Sequence, residues 1–271
     1  MSTERAVSPY VGCASAASQP AVSKMAEHLV SMCAPGLFAG MSPEEGMEIA
    51  SHARARTFMC NELLFSQGQP VRSLILLESG VVKMTQLSAD GSEVLLWMRG
   101  PGEPVNVCAA SDLCNHTCSA QAMERCRTLV WDCQRLQALA NRYPRLRMNI
   151  LRIVTERLVE LEERFREMAT ETVTKRLALN LLRLAKRVGT HSKEGIEVSL
   201  SRAELAQMTG TTLFTISRVL SSWAERGFVQ PRREAVLVSD LDKLQLVSFQ
   251  GSEYRRIASR LPEQPLTTST Q

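Results

Sequence analysis

Residues 198–223, VSLSRAELAQMTGTTLFTISRVLSSW, constrain the chain more than any other stretch, because start, break and stop signals for two short helices fall in close succession. Ser201 and Glu204 form an S-x-x-E capping box, which satisfies two amides at a helix start. Leu205 and Met208 follow on one apolar face, and Thr209-Gly210-Thr211 supplies the polar, glycine-containing break of a tight turn between helices. The second helix is expected from about Thr212 to Arg226, with Leu213, Ile216, Leu220 and Trp223 inward and Gly227 as its stop. Its other face carries Thr211, Thr212, Phe214, Thr215, Ser217 and Arg218. In a helix-turn-helix the start of the second helix enters the major groove, while hydroxyls and amides hold phosphates. These six residues, with Ser201 and Arg202, are therefore the candidate DNA contacts.

Beyond Gly227, two β-prone runs, Phe228 to Gln230 and Ala235 to Val238, flank Pro231, Arg232, Arg233 and Glu234. This pattern is expected to form a wing with Arg232 and Arg233 at its tip, tracking a phosphate backbone. Charge agrees: residues 173 to 260 hold 15 Lys and Arg against 8 Asp and Glu, a net +7 within a chain whose total is +4. A basic C-terminal third favours a polyanionic partner.

Upstream, residues 144 to 168 contain no glycine and no internal proline. Leu151, Val154, Leu158, Leu161, Phe165 and Met168 alternate at three and four residues, the a and d seam of a left-handed coiled coil. Glu156, Arg157, Glu160, Glu163 and Arg164 fill the flanks. So narrow a stripe suits an identical helix, giving a homodimer, although packing on the chain's own core is the alternative. Two-fold symmetry would match inverted-repeat DNA. A further helix from about Val173 to Arg187 leads into the helix-turn-helix.

From Arg56 to about Asp132 the pattern changes to short β-prone segments: Ser73 to Leu77, Val81 to Gln86, Val94 to Met98 and Arg127 to Trp131. Gly68, Gly80, Asp90-Gly91 and Gly100-Pro101-Gly102 punctuate them, and Asp90-Gly91 is a good hairpin turn. The fold class is thus α+β: an N-terminal β-roll, a long coiled-coil dimerisation helix and a C-terminal winged helix-turn-helix. The expected boundaries are an N-terminal extension 1–35, the roll 36–143, the dimerisation helix 144–172, the winged domain 173–248 and a tail 249–271. Neither a signal peptide nor a stretch of about 18 apolar residues is evident, so a cytoplasmic protein without membrane partners is expected.

Over about residues 36 to 245 the chain resembles the Crp-Fnr superfamily of bacterial transcription regulators. LLFSQGQPVRSLILLESGVVKMTQLSADGSEVLLWMRGPGE is similar to that family's cyclic-nucleotide-binding-type domain, and TGTTLFTISRVLSSW to its recognition helix, above all in T-x-S-R. The resemblance implies dimers on inverted repeats in promoters, a ligand sensed in the roll, and contact with RNA polymerase if the protein activates. In cyclic AMP-responsive members a Gly-Glu pair binds the ribose and an Arg-Ser pair the phosphate. An ungapped reading after Gly102-Glu103 puts Asn106-Val107 and Thr117-Cys118 there, and Leu161-Glu162 replaces the adenine-contacting hydroxyl pair. The phosphate-binding arginine is missing, so cyclic AMP is not the expected effector. Where many members carry Glu or Arg-Glu on the recognition helix, this chain has Leu213-Phe214, which implies a different operator; Ser217 and Arg218 match.

Eight cysteines in a cytosolic chain are not expected to form structural disulfides. Cys108, Cys114, Cys118 and Cys126 lie close together with His116 among them, while Cys13, Cys33, Cys60 and Cys133 are scattered. The cluster could hold a metal or an iron-sulfur cluster or act as a redox switch, or its members could simply be small core residues. Its spacings match no zinc or ferredoxin pattern. G-x-S-x-G, P-loop and H-E-x-x-H motifs are absent, so an enzyme is not expected. The rival reading is a cytosolic thiol or metal-binding redox protein whose helical domain serves only dimerisation.

Overall fold

Short apolar runs build the N-terminal half into two sheets. The computed structural model describes residues 36–107 and 114–248, so the N-terminal extension, Cys13, Cys33, Cys108 and the C-terminal tail lie outside the described residues. The first sheet has the order β1 (Arg54–Phe58), β7 (Cys126–Asp132), β3 (Ser73–Ser79). Register places Leu129 between Ala55 and Leu76, and all three are buried on one face. The second sheet runs β2 (Leu63–Phe65), β6 (Ser119–Ala122), β4 (Val82–Leu87), β5 (Glu93–Arg99). Between β4 and β5 the turn closes around Asp90 and Gly91, with the Ser88 amide donating to the Ser92 carbonyl at 2.9 Å and Gly91 at φ +85°.

Three helical pieces cover the first sheet. α1 (Pro43–Ser51) starts from a Ser42–Glu45 capping box with Pro43 in its first turn. α2 (Cys133–Arg142) is capped by Asp132, and α3 spans Pro144–Thr170. Ile49, Leu136, Leu139, Leu146 and Ile153 from these helices close a core on Leu74, Leu129 and Trp131. Trp131 is fully buried, and its indole N–H donates to the Ile49 carbonyl at 2.8 Å, so the largest core side chain leaves no unmet donor.

The C-terminal part contains α4 (Val173–Val188), β8 (Thr190–Ser192), β9 (Gly195–Val198), α5 (Arg202–Thr209), α6 (Leu213–Glu225), β10 (Val229–Arg232), β11 (Ala235–Val238) and α7 (Leu241–Ser248). Its sheet has the order β10-β11-β9-β8. Leu177, Leu181, Leu205, Ile216, Leu220, Val236 and Leu244 form its buried interior. The contacts divide the chain into two compact units, with α3 passing from the first to the second at Glu156/Arg157 and the Leu87–Leu96 hairpin belonging to the second. Among the described residues, no helix is long and apolar enough to cross a membrane.

The four strands expected in the roll are present with ends within one or two residues of those expected, but β1, β2 and β6 and helices α1 and α2 were not individually expected. Three- and four-residue strands such as β2 and β6 carry too few residues to show a period of two. The β8–β9 hairpin was missed for the same reason. In the wing, Pro231 and Arg232 belong to β10 rather than to the connection. Arg233 and Glu234 alone join the strands, with Glu234 at φ +56°.

Candidate nucleic-acid interface

α5 and α6 are set by local chemistry. The Ser201 hydroxyl accepts from the Glu204 amide at 3.2 Å, and the Glu204 carboxylate accepts from the Ser201 amide at 2.9 Å. α5 ends on Gly210 in the left-handed region, at φ +60° and ψ +49°. A Cβ there would also meet the terminal methyl of Met168, a flexible side chain that can move aside, so it is the left-handed backbone that calls for glycine. The Arg176 guanidinium on α4 donates to the Thr209 carbonyl at 3.0 Å and to the Glu171 carbonyl at 2.7 Å, bracing the turn from below. Sequence reasoning did not single out Arg176, because its partner lies 33 residues away.

Thr212 caps α6, accepting from the Thr215 amide at 3.2 Å. Ile216, Leu220 and Trp223 are buried, and the chain leaves the helix through Gly227 at φ +72°. One expected core residue is not inside: Leu213 is 53% exposed. As the first residue of α6 it stands where the chain is still arriving, and the buried stripe begins only with Ile216. Its neighbour Phe214 is 74% exposed. Arg202, Thr212 and Arg218 are also exposed, whereas Ser201, Thr211, Thr215 and Ser217 are half-buried. Ser201 and Thr212 spend their hydroxyl acceptors on caps, so the N-terminal half of α6 offers outward chiefly Leu213, Phe214 and Arg218.

The wing departs from expectation. Arg232 is ion-paired with Glu197 of β9 and with Glu194 at 2.7 Å, so two carboxylates already surround the guanidinium. A cation so held contributes little to a phosphate contact. Arg233, at the turn, is exposed.

On α3, two stripes separate. Leu146, Asn149 and Ile153 are buried, and Glu167 is buried further along the same face. In the C-terminal half this face meets α4 through paired charges: Glu160 accepts from Arg187 at 2.8 and 3.1 Å, and Glu167 from Arg183 at 2.7 and 2.6 Å. Arg164, between them, donates to the Leu96 carbonyl and to the Asn180 side chain. Burial, and then the neighbouring Arg183, lower its pKa to about 10, which leaves it charged at neutral pH. The seam residues Leu151, Val154, Leu158, Leu161, Phe165 and Met168 lie on the other stripe and are all exposed, Phe165 at 76%. Met168 also reaches Gly210, at the turn between α5 and α6.

In the roll, Asn106 is buried and its side chain is committed: it accepts from the Ile75 amide at 2.9 Å and donates to the Ser73 carbonyl at 2.7 Å. Thr117 is exposed and Cys118 buried. His116 stacks on Phe65 with ring centroids 3.7 Å apart, and burial lowers its pKa, so the imidazole is neutral at pH 7. Cys126 is buried and donates to the Val81 carbonyl at 3.4 Å. Burial, reinforced by the negative charge of Glu124, pushes its thiol up to about 11, the opposite of a reactive thiolate. Cys114 is exposed. Among the described residues, no three His, Cys, Asp or Glu side chains assemble into a metal site. Contrary to the expectation that no structural disulfide forms, Cys133 is disulfide-bonded.

Comparison with known proteins agrees with this architecture. Residues 55–143 match the cyclic nucleotide-binding domain, and residues 175–247 match the Crp-like helix-turn-helix domain. Over 211 residues the chain is 28% identical to the CRP-like cAMP-activated global transcriptional regulator of Mycobacterium tuberculosis, covering 77% of this chain and 94% of that protein. It is 25% identical over 202 residues to the transcriptional activator protein anr of Pseudomonas aeruginosa, covering 74% and 82%. Among solved structures, FixK2 from Bradyrhizobium japonicum superposes with a TM-score of 0.63 at 18% identity, over 74% of this chain and 99% of that one, a likeness of fold.

Proposed function

We propose that this chain, which belongs to the Crp-Fnr superfamily of bacterial transcription regulators, binds inverted-repeat promoter DNA in the cytoplasm as a homodimer and has no catalytic activity of its own. The observation that carries the reading is α6: a rigidly capped helix whose exposed face presents Phe214 and Arg218 at the end that a helix-turn-helix inserts into the major groove. Dimerisation rests on α3. Its own chain occupies one stripe, through Leu146, Ile153, Glu160 and Glu167, and leaves the Leu151–Met168 seam exposed. A two-fold pair of such helices sets two copies of α6 on successive half-sites.

The roll is the sensor, and its effector is something other than cyclic AMP. Asn106 and Thr117-Cys118 stand where a ribose-binding and a phosphate-binding pair would be needed. The Asn106 amide is spent on β3, and Thr117 and Cys118 carry no positive charge to hold a phosphate. Effector binding would shift the balance between two arrangements of the dimer and so change DNA affinity. An activator of this kind would also contact RNA polymerase.

The test is selection of bound duplexes from a random pool by the purified full chain, together with sedimentation of L158E/L161E. The reading expects a two-fold repeated half-site, and a variant that sediments as a monomer and loses affinity for the paired site. Selection of unpaired half-sites by a wild-type monomer would overturn the dimer.

A further inference from the structure

The exposed end of α6 is apolar where a polyanion-binding surface would ordinarily be polar. Leu213 and Phe214 are 53% and 74% exposed, side by side in the first turn. Neither is there by looseness: Thr212 caps the helix, Ile216, Leu220 and Trp223 anchor its other face, and Gly210 fixes the turn before it. Arg218 lies four residues beyond Phe214, one turn along the same face, and is exposed.

We propose that Phe214, with Leu213 beside it, reads a thymine methyl group in each half-site, one helical turn from Arg218. This rests on the reading of α6 as the major-groove helix. The C5-methyl of thymine is the one apolar group that the four bases present in that groove, and a bidentate arginine is the common reader of guanine. A phenyl ring offers no acceptor. Docked on cytosine or adenine it would cover an amino group and leave that donor without a partner, so the same side chain attracts thymine and rejects its competitors.

The experiment uses the full chain and the duplex it selects, with each thymine replaced in turn by deoxyuridine. That exchange deletes the methyl and keeps every hydrogen-bonding group. At one thymine per half-site, deoxyuridine should weaken wild-type binding about fourfold for each methyl removed, the worth of one buried methyl group. F214A should bind the thymine duplex that much more weakly and lose its response to deoxyuridine at that position, while R218A keeps the response. Because Phe214 is exposed, F214A should melt at the wild-type temperature.

Equal wild-type affinity for thymine and deoxyuridine at every position would overturn the proposal while leaving sequence-specific binding intact. So would an F214A variant that retains the full deoxyuridine effect, or one with unchanged DNA affinity, which would assign the apolar end to a protein contact. Selection of no sequence at all by the wild type is a separate result: it would remove the DNA-binding reading and this proposal with it.

Discussion

α6 and the β10–β11 wing both turn arginines toward solvent, yet they differ in what those arginines already hold. On α6, Arg218 is exposed on the same face as Phe214. In the wing, Arg232 is gripped by Glu194 and Glu197, 38 and 35 residues earlier in the chain. Residue type is the same in both places; availability is not. A guanidinium flanked by two carboxylates carries no net positive charge to a polyanion, so in the proposed complex the wing's contribution falls to Arg233. On the proposed reading, the difference gives base reading to α6 and leaves the wing a minor phosphate contact.

The strongest way to break this comparison is to remove each arginine in turn. Arg218→Ala should cost about 1–3 kcal/mol of specific binding, roughly 5- to 150-fold, and relax the preference at one base position. Arg232→Ala should stay within about twofold, as for a surface change with no lost partner on the ligand. Titrations of both variants on the selected duplex decide it, and equal losses would erase the distinction.

A second test loosens the mount of α6 rather than its face. Gly210→Ala forces a Cβ into the left-handed region and toward Met168, and should lower unfolding stability by about 1–2 kcal/mol by denaturant titration. Met168→Ala in that background should recover only the part due to contact. Full recovery would show that the backbone conformation costs nothing there.

A smaller effect is expected from freeing the wing. E194Q/E197Q releases Arg232 and should tighten DNA binding about two- to fivefold at low salt. It should also steepen the plot of log affinity against log salt by about one unit per half-site. An unchanged slope would mean that Arg232 does not reach the backbone even when released.

The smallest change concerns a thiol whose availability follows the same logic. Cys126 is buried with its pKa raised from 9.0 to about 11. At pH 7.5 it should resist iodoacetamide while exposed Cys60 and Cys114 react, as read by mass spectrometry. Folding holds this thiol neutral, so its contribution to stability is full below pH 9 and is lost as the pH rises toward 11. Alkylation of Cys126 at the rate of Cys60 would contradict its burial.

What could be read in the sequence depended on how local the cause was. The Ser201–Glu204 box, Gly210 and Gly227 act within a few residues, so the helix-turn-helix was legible nearly to its ends. The α3 seam was legible because its spacing persists over 18 residues, from Leu151 to Met168. Its being left uncovered was not legible, since that depends on Glu160 and Glu167 finding Arg187 and Arg183 on α4. Leu213 satisfied the helical period and still points outward, because periodicity cannot see where the core stops. The Arg232 clamp was hidden for want of β9, a four-residue strand. The cysteine cluster looked close in sequence, but strand geometry buries Cys118 and Cys126 and leaves Cys114 outside.

The most direct test of DNA recognition through α6 is fluorescence anisotropy of the full chain on its selected duplex and on a scrambled one, across a range of salt. The account predicts tighter binding to the selected duplex by about a thousandfold or more, a steep loss with salt, and a difference cut roughly 5- to 150-fold in R218A. Equal affinity for the two duplexes, or a preference that survives in R218A undiminished, would contradict it.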